Sequence, residues 1–104
     1  MNWQIDRLLA SLAEPTRLRA LQILWDGDEH CVCELMDRLS ASQSRMSRHM
    51  ARLKSVGLLV DRRDAQWVRY RRRSELPTSW VAIIDAVLLT LPPLPQSACQ
   101  KRAA

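Results

Sequence analysis

Residues 31–57, CVCELMDRLSASQSRMSRHMARLKSVG, decide the fold. Val32, Leu35, Met36 and Leu39 form the apolar side of a helix over about residues 31–39. Ser40-Ala41-Ser42 interrupts it, and Ser42 offers its hydroxyl as N-cap to a second helix running from Gln43 to about Val56. Gly57 then supplies a residue that closes helices without steric penalty. Two helices across so tight a break make a helix-turn-helix. At about 100° per residue, Met46, Met50 and Leu53 cluster on one side of the second helix, with His49 at the margin. Ser44, Ser47, Arg48, Ala51 and Arg52 take the opposite side. Small side chains let a backbone approach the major groove, and arginine can fork onto guanine N7 and O6. A merely solvated face is the competing reading, and the position directly after the turn weighs against it.

On the N-terminal side, Ile5, Leu8, Leu9 and Leu12 form an i, i+3, i+4, i+7 stripe over roughly residues 3–13. Pro15 suits the first position of a further helix that buries Leu18, Leu21, Leu24 and Trp25 and stops at Asp26-Gly27-Asp28. On the C-terminal side, Leu58–Arg62 and Trp67–Arg72 read as two strands around an Arg63-Asp64-Ala65-Gln66 turn. Val68, Tyr70 and Arg72 share one side, and Trp67, Arg69 and Arg71 the other. An arginine-rich ribbon beside a recognition helix is a wing, with Arg69 and Arg71 placed for phosphates or the minor groove. Protection of an exposed edge from aggregation is the other use of such charge. Pro77 opens a last helix whose apolar content, Trp80 to Leu91, wraps nearly the whole circumference. That is more than a small domain covers alone, so a homodimer is expected, with the first helix contributing; a core helix in a monomer is the alternative. The predicted class is mainly α with a small β-hairpin: a winged helix-turn-helix of about five helices and a two-stranded wing. It occupies residues 1–95, followed by a flexible tail over 96–104.

Composition narrows the function classes. The 104 residues suit one domain, and two glycines with no phenylalanine argue against a many-turned β sandwich or barrel. The longest apolar stretch falls well short of the roughly 20 residues of a membrane helix, so no membrane partner is expected. Asp6, Arg7 and Glu14 interrupt the N-terminal leucines, so no signal peptide is expected. With three cysteines, an odd number, this indicates reduced thiols in the cytoplasm. Charge is polarised: residues 38–73 hold eleven basic side chains against Asp61 and Asp64 alone, a local +9 in a chain of net charge +5. That suits an anionic partner, with a solvated charged face as the competing reading; beside the helix-turn-helix the expected partner is double-stranded DNA. Enzymatic function is not expected, because His30 and His49 are the only histidines, no glycine-rich phosphate loop exists, and no base sits at a spacing that suggests an activated cysteine.

Cys31 and Cys33 open the first helix of the helix-turn-helix. Thiolates select soft thiophilic ions, and a helix N-terminus favours their negative charge. Positions i and i+2 of an α-helix stand about 200° apart. An ion bound by both thiols is therefore expected to unwind this first turn, or to find it already frayed, making ligand binding and DNA-competent geometry mutually exclusive. His30 reads as a surface residue. Cys99 lies eight residues beyond Leu91, an extended reach of at most roughly 29 Å. It could join the pair in its own or the partner chain, giving three thiolates suited to a trivalent pyramidal ion, or remain uninvolved.

Glu14-Pro15-Thr16-Arg17-Leu18-Arg19, Cys31-Val32-Cys33-Glu34-Leu35, Ser42-Gln43-Ser44-Arg45-Met46-Ser47-Arg48-His49-Met50, Gly57-Leu58 and Trp67-Val68-Arg69-Tyr70 resemble the ArsR/SmtB winged-helix repressors over about residues 4–90. The Cys-Val-Cys-acidic-Leu element is similar to the arsenite-responsive branch. Its members are dimers that repress a resistance operon and leave DNA when As(III) or Sb(III) binds those cysteines. The resemblance implies ligand roles for Cys31 and Cys33, DNA-facing roles for Gln43, Ser44, Ser47 and Arg48, and a structural role for His49. One departure is Met36, where the branch often carries a third cysteine. Water, another donor or Cys99 could complete the site. The acid and histidine set of zinc sites on the last helix is not evident, since Asp85 has no nearby histidine in sequence. The expected function is a metalloid-responsive repressor of a near-palindromic operator. The alternatives are a thiol redox switch pairing Cys31 or Cys33 with Cys99, a Cd(II) or Pb(II) sensor, and a winged helix used for protein contact only.

Overall fold

Local caps set the helix boundaries. The Glu14 carboxylate accepts from the Arg17 backbone N–H at 2.9 Å, and Pro15 takes the first helical position. Arg17 turns back to donate from Nε to the Ser11 carbonyl at 2.7 Å, satisfying an end group of the preceding helix. The Ser42 hydroxyl accepts from the Arg45 N–H at 3.3 Å, and Gly57 closes the same helix at φ 105°. The computed structural model describes residues 2–94. In chain order the elements are α1 Ile5–Leu12, α2 Pro15–Leu24, β1 His30–Cys31, α3 Val32–Leu39, α4 Gln43–Val56, β2 Leu59–Asp64, β3 Trp67–Arg72 and α5 Thr78–Leu88.

The winged helix-turn-helix is borne out, with two corrections to its β portion. The sheet has three strands in the order β1-β3-β2, all neighbours antiparallel. Strand β1 is two residues long, too short to carry any hydropathy period, and only its pairing with β3 creates it. The hairpin is also tighter than expected. Asp64 pairs with Trp67, leaving Ala65 and Gln66 as the turn, with Ala65 held at φ 55°. Two-residue turns need such left-handed backbone, and alanine gives no sequence cue for it.

Leu8, Leu21, Leu24, Leu35, Met46, Met50, Leu53, Leu58, Leu59 and Ile84 are fully buried and join the helices to the base of the wing. The apolar stripe of α1 divides: Leu8 and Leu12 enter this core, whereas Ile5 and Leu9 face outward, Leu9 with 52% of its surface exposed. Helix α5 is shorter than expected, with Pro77 as its N-cap and only Trp80 and Ile84 buried; Leu89 beyond it is 87% exposed. The chain thus leaves apolar surface on α1 and α5 uncovered. Among the described residues, no helix is long and apolar enough to cross a membrane.

Candidate nucleic-acid interface and dithiol site

Helix α4 separates its two faces as its spacing predicts. Met46, Met50 and Leu53 are fully buried, while Gln43, Ser44, Ser47, Arg48 and Arg52 all stand exposed on the outer side. His49 sits between these faces, its Nδ1 3.3 Å from Arg17 Nη1 and its Nε2 3.7 Å from Glu14 Oε2. Burial lowers the His49 pKa, and the charges of Arg17, Arg45 and Arg48 lower it further against the opposing pull of Glu14. Burial pushes the Glu14 carboxyl up, but backbone hydrogen bonds from Arg17 and Thr16, with the charges of His49 and Arg17, hold it below its ordinary value. His49 therefore locks α4 to the α1–α2 corner.

The wing presents its arginines differently. Arg62 grips Glu29 with Nε to Oε2 at 2.7 Å and Nη2 to Oε1 at 2.8 Å. Arg69 Nε meets Asp64 Oδ2 at 2.7 Å, and Lys54 Nζ meets Asp61 Oδ1 at 3.0 Å. Arg71 is half-buried and donates to the Arg72 carbonyl at 3.3 Å; Arg72 lies over the Trp25 ring at 4.2 Å from its centroid. Trp25 Nε1 in turn donates to Asp85 Oδ1 at 2.6 Å, so Asp85 has an indole rather than a histidine as neighbour. Sequence reasoning selected Arg69 and Arg71, which are half-buried, whereas Arg62 and Arg63 are the more exposed arginines of the wing. Alternation along the strand gives the face of each residue but not which carboxylate will hold it.

The two cysteines converge more closely than helical spacing allows. Cys31 lies outside α3 in extended backbone, φ −68° and ψ 144°, as its N-cap. Its sulfur accepts from the Cys33 N–H at 3.3 Å, and the two Sγ atoms are 2.8 Å apart. Both thiols are reduced and half-buried. Of the two expected routes to a shared ion, the structure has the second: the first turn is already open at Cys31 and is not wound through both cysteines. The cap position already turns Cys31 back over Cys33, because an N-cap side chain folds toward the N–H groups of the first turn.

His30 is a correction. It is buried rather than on the surface, with Nδ1 2.8 Å from Glu34 Oε1 and Nε2 2.9 Å from Asp26 Oδ2. Burial opposes its positive charge, but the hydrogen bonds and charges of Glu34 and Asp26 prevail and raise its pKa. Glu34 also accepts from Arg38 Nη1 at 2.9 Å, so this acid is committed to a structural cluster behind the thiols. Met36 packs against the core. Among the described residues no group of three or more His, Cys, Asp or Glu side chains is set to hold an ion. Cys99, the candidate third thiol, lies outside the described residues, as does the tail over 96–104. Two soft sulfurs side by side suit a thiophilic ion and would supply two of its ligands.

Known proteins resemble this chain in sequence and in fold. Residues 14–60 match the family described as "Bacterial regulatory protein, arsR family". The chain is 54% identical over 71 residues to the arsenic resistance transcriptional regulator ArsR2 of Pseudomonas putida, which covers 68% of this chain and 61% of that relative. It is 42% identical over 79 residues to the arsenical resistance operon repressor of Escherichia coli, covering 76% of this chain and 68% of that one. Among solved structures, HlyU from Vibrio cholerae matches with a TM-score of 0.70 at 37% identity, over 83% of this chain and 89% of that one. The chain thus spans about three fifths of the length of the Pseudomonas relative.

Proposed function

The chain belongs to the ArsR family of bacterial regulatory proteins, and on that premise we propose that it is a metalloid-responsive transcriptional repressor. It binds operator DNA as a homodimer and leaves when As(III) or Sb(III) is taken up by Cys31 and Cys33. The observation that carries this reading is the dithiol, two sulfurs 2.8 Å apart at the head of the helix-turn-helix. Relatives named as arsenic resistance regulators support the choice of ion. Soft sulfur ligands displace oxygen ligands from trivalent arsenic or antimony. The third ligand is Cys99, in its own or the partner chain, or a non-protein donor.

Gln43, Ser44, Ser47, Arg48 and Arg52 read base edges from α4, and Arg69 and Arg71 of the wing lie along the backbone. The outward apolar residues Ile5 and Leu9 of α1, and Leu89 just after α5, support a dimer that covers them. The protein works where its operator is, in the cytoplasm, on DNA half-sites about one helical turn, or a multiple, apart. A second reading uses the same sulfurs: their separation favours two-electron oxidation by a peroxide to a Cys31–Cys33 disulfide, with the peroxide reduced to water. Cd(II) or Pb(II) at the same thiolates is a nearer variant.

Fluorescence anisotropy of the reduced protein on its upstream DNA, at fixed salt, separates these readings. Release by arsenite but not by cadmium or peroxide is the expected result. Release by peroxide alone transfers the function to the redox reading.

A further inference from the structure

Strand β1 places one of the two thiols inside the sheet of the wing itself. Cys31 pairs with Arg69 and His30 with Tyr70 on the central strand β3, which pairs along its whole length with β2. Directly opposed residues share a face, so Cys31, Arg69 and Arg62 stand in one row on the outward side. On the inward side His30 and Tyr70 are both buried. A side-chain strap reinforces the ladder. Glu29, just before β1, reaches across β3 to hold Arg62 of β2 at 2.7 and 2.8 Å.

Cys31 therefore belongs to two structures at once, as the last residue of β1 and the N-cap of α3. The two differ in stiffness. Helix α3 packs on α4 through Leu35, Met46 and Met50, all fully buried, so movement on that side must open a close-packed core. On the wing side His30 and Tyr70 are buried and His30 is held by Glu34 and Asp26, but the outward row of Cys31, Arg69 and Arg62 is tied only by a two-residue ladder and an exposed ion pair, which are weak restraints. A ligand that draws Cys31 Sγ into new bonds displaces the softer side.

We propose that the dithiol communicates with DNA through the wing, with Glu29 as a positioning residue that acts through Arg62. The proposal rests on the reading of Cys31 and Cys33 as the inducer site. Occupancy of the sulfurs displaces β1, β3 follows through its pairing, and the arginines of the wing leave the register that fits the DNA backbone. The recognition helix keeps its packing and loses only its neighbour on the phosphates.

The test compares the intact chain with two variants, Glu29→Gln and the double wing variant Arg63→Gln/Arg71→Gln. Each is measured by anisotropy on upstream DNA with and without arsenite, and expressed as the ratio of the two Kd values. The wild-type ratio is expected on the order of 5–150-fold, the double variant's close to one, and that of Glu29→Gln between them. Amide hydrogen exchange on the DNA-free protein gives a second readout. Arsenite should speed exchange at Arg69, Tyr70 and Arg71, and should have no effect there in Cys31→Ser/Cys33→Ser. Circular dichroism checks each fold, and Arg63→Gln alone replaces the double variant if that does not fold. Equal ratios in all the proteins overturn the wing route and leave the inducer site standing, whatever exchange shows. Exchange changes confined to α3 and α4 overturn it as well. A wild-type ratio of one overturns the inducer site, and the route with it.

Discussion

Helix α4 and the wing are both rich in arginine but hold it in opposite ways. Arg48 and Arg52 project from α4 with no carboxylate partner among the described residues, whereas Arg62 and Arg69 each face an acid at 2.7 Å. A helix displays its outer side chains radially, three or four residues apart, and no acid lies on that face of α4. On a hairpin, neighbouring strands bring Asp64 and Arg69 together, and the ribbon neutralises part of its own charge. On the proposed reading, the arginines of α4 reach base edges without first leaving a carboxylate. On the same reading, Arg62 and Arg69 would exchange a carboxylate for a phosphate, which lowers the net gain from each contact.

The largest expected effect separates both regions from the dithiol. Cys31→Ser/Cys33→Ser should keep operator affinity and lose arsenite release entirely, read by anisotropy. Loss of DNA binding instead would make the two cysteines packing residues. Next in size is the support beneath the recognition face. Met50→Ala should cost about 2–5 kcal/mol of stability in denaturant titrations, since its side chain is fully buried under α4.

The contrast between helix and wing is sharpened by two single substitutions. Arg48→Ala should weaken operator binding by about 1–3 kcal/mol and relax specificity at one base pair. Arg69→Ala should weaken operator and random DNA alike, by less than Arg48→Ala, and lower the salt slope by about one at most. Equal, sequence-specific losses at both positions would erase the distinction between them.

The smallest effects lie in the pH dependence of stability, where the two histidines have opposite signs. His30 has a raised pKa in the fold, so its contribution is full below about 6.5 and is lost as pH rises through the folded value. His49 has a lowered pKa, so its contribution is full above about 6.5 and is lost as pH falls through the folded value. Denaturant midpoints followed across this range should show His30→Gln flattening the alkaline side and His49→Gln the acid side. Identical profiles for the two variants would refute these environments.

Much of the interface was legible because helices write their surroundings into a local period. Ser42, Gly57 and the spacing of Met46, Met50 and Leu53 give α4 both its ends and its buried side, and hence the exposure of Ser44, Ser47 and Arg48. The dithiol was legible as composition and illegible as geometry. Treating Cys31 as helical put the sulfurs on opposite sides; a one-residue shift of the helix start, with Cys31 as cap, brings them together. His30 reads as polar and therefore exposed, but Asp26 and Glu34 supply the hydrogen bonds that make its burial tolerable. The partners of the wing arginines follow from register, which one strand cannot specify alone.

By itself the sequence determined the helix-turn-helix, the polarity of α4, the basic wing and the presence of two neighbouring thiols, because each depends on contacts within a few residues. Only the tertiary structure decided that His30 and Cys31 form a third strand, that the thiols meet, and that Glu29 reaches Arg62 across β3. The strand pairing and the Glu29–Arg62 contact join segments some 30 to 40 residues apart, and such a pairing leaves no period in either segment; the thiols are neighbours in sequence, but it is the β1 pairing that keeps Cys31 extended.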